Sequence, residues 1–197
     1  TSYSAITGRL KTDIAQFLLR YPEVRIDFTI MRSKEIIEAL LEGTADIGVF
    51  GFSDKHVEGL HFVPYFTCKF ALLFQTKTVR DQNIGRRISI RQLSDFPLVA
   101  LSKDTTLQMY LEEHAKQEGV RLNIRARFPN LHSGLASLRA LNGAMFVPVD
   151  SSVTREIDMT TVELDEPWNQ QEIQICLPGG QRHIRNETRQ LLTFLSY

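Results

Sequence analysis

The chain has 197 residues, 43% of them hydrophobic, with 23 basic and 23 acidic side chains and a formal net charge of zero. That balance leaves no electrostatic footprint for DNA or an anionic membrane surface, and no apolar run reaches the eighteen or so residues of a membrane-spanning helix. The length suits one domain or two small lobes with a sizeable core.

No signal peptide is visible. Thr1-Ser2-Tyr3-Ser4 reads as the end of a strand whose beginning lies outside the chain, so the sequence is expected to be a fragment. Ser4 to Gly8 reads as a loop, leading into a helix with Leu10, Ile14, Phe17 and Leu18 on one face and a stop at Tyr21-Pro22. Val24, Ile26, Phe28 and Ile30 alternate with polar residues, the period of a strand with one buried face. Ser33 is expected to cap the next helix, with Glu35 in its first turn, Ile36, Ile37, Leu40 and Leu41 at helical spacing, and Gly43 to end it. Asp46 to Phe50 is short and β-prone, so the unit closes as strand, helix, strand, the size of a right-handed crossover.

Leu60 to Gln75 is a long, nearly uncharged run broken by Pro64, suited to a strand crossing from one lobe to another. Thr76 to Arg87 reads as a loop. Ser89 caps a short helix, and Leu98 to Leu101 follows Phe96-Pro97 as a strand. A helix with Leu107, Tyr110, Leu111 and Ala115 ends at Gly119, and Val120 to Phe128 alternates as a strand with a basic outer face. Asn130 caps a helix carrying Leu131, Leu135, Leu138 and Leu141, with Asn142-Gly143 as its C-terminal signal. Ala144 to Val149 is a strand, Ser151 to Asp158 a short helix, Thr160 to Leu164 and Glu172 to Pro178 strands. A last helix bears Ile184, Leu191, Leu192 and Leu195. Repeated alternation of strand and helix makes the fold class α/β.

The five histidines show no HxxxH or HExxH spacing, and there is no GxSxG elbow, GxGxxG or P-loop, so no motif points to an enzyme, a metal or a cofactor. Ligand capture is the chemistry the pattern suits. In open α/β sheets ligands lie beyond the carboxyl ends of strands, where helix N-termini offer unpaired N–H groups to anions. Four such junctions occur: Ser2-Tyr3-Ser4, Met31-Arg32-Ser33, Ser102 to Thr106, and Asn130 to Ser133. Each also serves as an ordinary helix cap, and one junction alone carries no more than that. Arg32 and Lys103 add charge or face solvent. Cys68 and Cys176 are two buried apolar residues, or a redox pair if the segments that link the lobes bring them together.

Tyr21-Pro22-Glu23-Val24, the Ser33-initiated helix and the run Leu40 to Ile47 (LLEGTADI) resemble the effector-binding domain of LysR-type transcriptional regulators. Gly59-Leu60, Phe96 to Val99 and Asn142 to Pro148 (NGAMFVP) agree in order and spacing, with Leu141 where family members usually carry the first of two glycines. The resemblance covers essentially the whole chain. It implies a type 2 periplasmic-binding-protein-like fold: two Rossmann-like lobes joined by two crossover strands, residues 1–67 with 172–197 in one and 68–171 in the other. It further implies a small effector held between the lobes by Ser4, Ser33, the loop with Ser102, Thr105 and Thr106, and Asn130 to His132, with Pro148 shaping the wall. The family does not carry over the effector's identity; the helix N-termini described above, with Arg32 beside one of them, suit an anion. A winged helix-turn-helix upstream, homo-oligomers on promoter DNA, contact with RNA polymerase and a cytoplasmic location follow from the same resemblance. The helix with Leu10, Ile14 and Phe17 and the strand Val24 to Ile30 are then candidates for pairing with a second subunit. A solute-binding protein of an ABC-type transporter shares the architecture and is the alternative.

Overall fold

In the computed structural model of the chain, residues 1–51, 57–179 and 185–196 are described. The elements run α1 (Tyr3–Thr7), α2 (Leu10–Arg20), α3 (Ser33–Glu42), β1 (Gly48–Gly51), β2 (Leu60–Gln75), α4 (Thr76–Asp81), β3 (Arg87–Ile88) and α5 (Ile90–Leu93). They continue with β4 (Leu98–Leu101), α6 (Thr106–Gln117), β5 (Ile124–Phe128), α7 (Leu131–Leu141), β6 (Ala144–Pro148), β7 (Met159–Leu164), β8 (Gln170–Pro178) and α8 (Asn186–Leu195). The chain divides into two compact units, Thr1–Cys68 with Gln171–Tyr197, and Lys69–Gln170.

In the first unit β8 lies between β1 and the beginning of β2. β1 pairs antiparallel with β8, Gly48 opposite Cys176 and Gly51 opposite Ile173. One face of this sheet meets α3: Ile36, Leu40, Phe50 and Cys176 are buried together, with Met31, Ile37, Leu60 and Phe62 packed around them. α3 ends as its sequence dictates, with Gly43 in the left-handed region at φ 78° and its N–H returned to the last turn. α2 buries Leu10, Ile14 and Phe17, and the Phe194 ring of α8 meets Phe17 edge-on at 5.5 Å.

Three expectations change here. Residues expected as a loop form α1, because the Ser2 hydroxyl accepts the Ala5 N–H at 3.4 Å and starts a turn. The alternating run Val24 to Ile30 belongs to no strand ladder. It is held instead on either side of Ile30, where Thr1 donates to the Thr29 carbonyl at 2.7 Å and Met31 donates to the Thr1 carbonyl at 3.0 Å. One residue alongside is too little for a ladder, and Phe28 and Ile30 remain 45% and 54% exposed. Ser33 is the first residue inside α3 and not its cap; Arg32 holds the capping position, its N–H received by the Glu35 carboxylate at 2.9 Å.

In the second unit the strands lie in the order β5, β4, β6, β2, β7, β3. β4 runs parallel to β5 and β6, while the end of β2 is antiparallel to β6 and β7. β4 and β6 are buried at every position, so they read as unbroken apolar runs (LVAL, AMFVP). Two glycines pack closely, Gly143 against backbone and Gly134 against a side-chain tip. A Cβ on Gly143 would sit 2.1 Å from the Pro97 carbonyl oxygen, and one on Gly134 of α7 would sit 2.6 Å from Met145 Cε. α7 begins and ends as expected: Asn130 accepts the Ser133 N–H at 2.9 Å, and Asn142 closes the helix at φ 48°.

Residues 76–81, expected as loop, form α4, which buries Thr78 and ends before Asn83 at φ 51°. The strand expected over 120–128 is laddered only from Ile124, since β4 offers four residues and its register shifts between Leu98 and Val99. The helix expected over 151–158 is a single 3-10 turn, Ser152–Arg155. Of the last helix's expected core residues, Ile184 lies outside the described residues and Leu195 is buried.

Candidate ligand-binding site

In the first unit the expected site residues gather at the carboxyl end of β1. The Thr1 hydroxyl and the Ser2 N–H both donate to the Val49 carbonyl, at 2.8 and 2.9 Å. Ser4 lies in α1, 1% exposed, its Oγ 3.3 Å from the Ser2 Oγ. Ser33, released from capping, donates its hydroxyl to the Gly51 carbonyl at 3.2 Å. In this arrangement the hydroxyl proton is directed at Gly51, and the rotor can turn it to a ligand instead. Arg32 is not a detached cation: Nε donates to Glu35 Oε1 at 2.9 Å, and a second short contact ties Nη2 to the same oxygen. The guanidinium in turn holds the Glu35 carboxyl below the usual carboxylate range.

In the second unit the parallel strands β4, β5 and β6 end side by side, with Leu101 opposite Phe128. The loops after them bring the other six expected residues to one edge. The Ser102 N–H and hydroxyl both donate to the Phe128 carbonyl, at 2.9 and 3.3 Å, joining the loop after β4 to β5. Thr105 caps α6, its N–H returning to the Ser102 carbonyl at 3.0 Å, and Thr106 opens the helix. His132 Nε2 lies 3.1 Å from the Ser152 hydroxyl, joining the first turn of α7 to the turn after β6, while Asn130 is occupied by its cap. Pro148 ends β6 and is buried.

Two groups escaped the sequence reading. The first supports the loop after β4. Gln108, 2% exposed, accepts the Leu101 N–H at 3.0 Å and donates to Glu112 at 2.8 Å. Arg127, expected on a basic outer face, bridges the Leu101 carbonyl at 3.0 Å and Glu112 at 2.8 Å. No motif announces such a network, because its members meet only when β4, β5 and α6 are packed. The second is Gln171, whose carboxamide lies against Gly51. A glycine inside a strand was the one local signal available.

A groove of about 680 Å³ also opens in the second unit between α6 and residues 119–124, lined by Met109, Glu113, Lys116, Arg121 and Leu122 among others. None of the expected site residues lines it. Cys68 and Cys176 form no disulfide, both lie in the first unit, and burial pushes the Cys176 thiol up to about 12. Among the described residues no cluster of histidine, cysteine and carboxylate side chains could hold a metal, and no helix is long and apolar enough to cross a membrane.

Comparison with known proteins places this geometry. The family described as LysR substrate binding domain matches residues 1–196. The HTH-type transcriptional regulator AlsR of Bacillus subtilis (strain 168) is 24% identical over 159 residues, covering 78% of this chain and 50% of AlsR. A full-length BenM mutant superposes with a TM-score of 0.79 at 17% identity, covering 98% of this chain and 64% of that one. The BenM effector binding domain with its effector benzoate gives 0.76 at 16% identity, covering 98% and 87%. The chain thus spans about half the length of the curated relative it matches, and its likeness to the solved structures shows a shared fold.

Proposed function

The chain belongs to the LysR substrate binding domain family, and on that footing we propose that it is the inducer-sensing part of a transcription factor. It takes up a small anionic effector and modulates DNA binding by the longer protein. The match over residues 1–196 is the observation that carries this reading. The named relatives support it: AlsR is a transcriptional regulator, and the BenM domain is named with benzoate as its effector. In this reading the candidates for effector contact are Ser4 and Ser33 in the first unit and, in the second unit, the strand-end segments Ser102 to Thr106 and Asn130 to His132 with Pro148 as wall. Arg32 contributes through its pairing with Glu35.

The effector acts by binding one arrangement of subunits better than another, since a ligand indifferent to the two shifts nothing. Promoter DNA is contacted by a segment outside this chain, RNA polymerase responds to the rearrangement, and the protein works in the cytoplasm without catalysing a reaction. A thermal-shift screen against small carboxylates, amino acids, aromatic acids including benzoate, sulfate and phosphate tests effector binding. Ligand at a hundred times its dissociation constant adds about 2.7 kcal/mol, which raises the melting midpoint by roughly 5–10 °C in a chain of this size. The expected result is a hit that disappears in Ser33→Ala. A hit retained in Ser33→Ala removes that serine from the site.

A further inference from the structure

Gly51 ends β1 without the positive φ that would explain a glycine there. Its reason is space: a Cβ on Gly51 would lie 2.2 Å from Cδ, 2.3 Å from Oε1 and 2.7 Å from Nε2 of Gln171. The carboxamide lies directly against the glycine backbone, whose carbonyl receives the Ser33 hydroxyl. Gln171 is also the residue at which the chain returns to the first unit. It is half-buried, and among the described residues its carboxamide has no hydrogen-bond partner. A glutamine whose carboxamide fills the space of a missing side chain, with both amide donors unspent among the described residues, is equipped to read a ligand.

We infer that Gln171 is a specificity-determining contact for a small carboxylate, donating from Nε2 to a carboxylate oxygen beside Ser33. This rests on the effector-binding reading above and goes beyond it by naming the donor. The complementarity is of donors and acceptors. The Ser33 hydroxyl donates to the Gly51 carbonyl, Arg32 is tied to Glu35, and Lys34 lies 3.8 Å from Glu38. A carboxylate arriving here needs N–H donors, and the Gln171 amide supplies two of them without a charge. Gly51 keeps that amide seated, because any side chain at 51 would displace it.

The test is a titration of the purified chain with acetate, benzoate and shikimate, followed by 1H–15N correlation spectra. The Gln171 side-chain resonance is assigned by its disappearance in Gln171→Glu. The expected result is that at least one probe moves the Gln171 Nε2 resonance and the Ser33 backbone amide with the same half-saturation. Gln171→Glu, which replaces donors by an anionic acceptor, then weakens that probe at least tenfold. Gln171→Met, matched in length and without donors, also weakens it, while the ligand-free melting midpoint of both variants stays within about 2 °C of the parent. A probe that moves Ser33 and leaves Gln171 still, or that binds Gln171→Glu as well as the parent, overturns the role of Gln171 and leaves the effector reading standing. Probes that move neither resonance overturn carboxylate capture in the first unit altogether.

Discussion

The thiol of Cys176 is fully buried against Ile36, Leu40 and Phe50, and that burial, partly opposed by a backbone hydrogen bond at Leu177, pushes its ionisation up to about 12. A thiol is nucleophilic only as the thiolate, so at neutral pH Cys176 is inert. Cys68, 2% exposed, is equally shielded. Ellman's reagent at pH 8 is therefore expected to label neither cysteine in the folded chain and both in denaturant; immediate labelling of either would revive a redox role. His114 carries a second prediction. Its ring stacks on Trp168 at 4.4 Å with the planes 2° apart and meets Tyr110 at 4.6 Å. Desolvation lowers its pKa below 6.5, partly opposed by Gln117 and Glu113. The folded state then binds the proton less readily than the unfolded one, so stability is unaffected above 6.5 and falls as pH drops below it toward the folded pKa. The unfolding midpoint of the parent, compared with His114→Phe, is expected to fall more steeply between pH 7 and 5. Parallel pH profiles would remove His114 from the account.

At the scale of elements, stability concentrates where two backbones touch. The Ala144 N–H donates to the Pro97 carbonyl at 2.9 Å, which is possible because Gly143 lets that carbonyl approach. Gly143→Ala is expected to cost about 3 kcal/mol, since the obstacle is backbone and not a side chain that can swing away. Urea unfolding with an unchanged m-value is the check. Asn130→Ala removes the acceptor for two donors, the Ser133 N–H and hydroxyl, and is expected to cost about 1 kcal/mol. Both caps of α7 were legible in its sequence, as were Gly43 after α3 and the Ser89 cap of α5, which Gln92 completes in the structure. These signals act within four residues. The missed α1 and α4 have no long apolar stripe and are short. The strand expected over 24–30 had the right period and lacked neighbours, which periodicity cannot report.

For the whole protein, the exposed apolar residues of the first unit bear on assembly. Leu19 is 84% exposed on α2, and Phe28 and Ile30 stand half-bare on a segment with no ladder partner. Such surface is costly to leave in water and suits pairing with a second subunit. Sedimentation of the purified chain across a hundredfold range of concentration is expected to show self-association. Phe28→Lys with Ile30→Lys is expected to shift it toward monomer; monomer at every concentration in the parent would assign those residues another role.

What the sequence determined by itself is the alternation of strands and helices, most helix ends, the long β2 strand and the family. These depend on period, cap chemistry and the order of short motifs, all carried by neighbouring residues. Tertiary structure decided what the polar groups do. Ser33 was legible as a hydroxyl at a helix start, yet its proton goes to Gly51 because β1 lies beside that start. Arg127 was legible as a strand cation, yet it binds Glu112 and the Leu101 carbonyl because α6 lies across β4. For Gln171 the glycine at 51 was the one hint, far away in the chain, and only the pairing of β8 with β1 sets the two together. Hydrogen bonds between segments distant in the chain follow from strand register and packing, which no window of sequence contains.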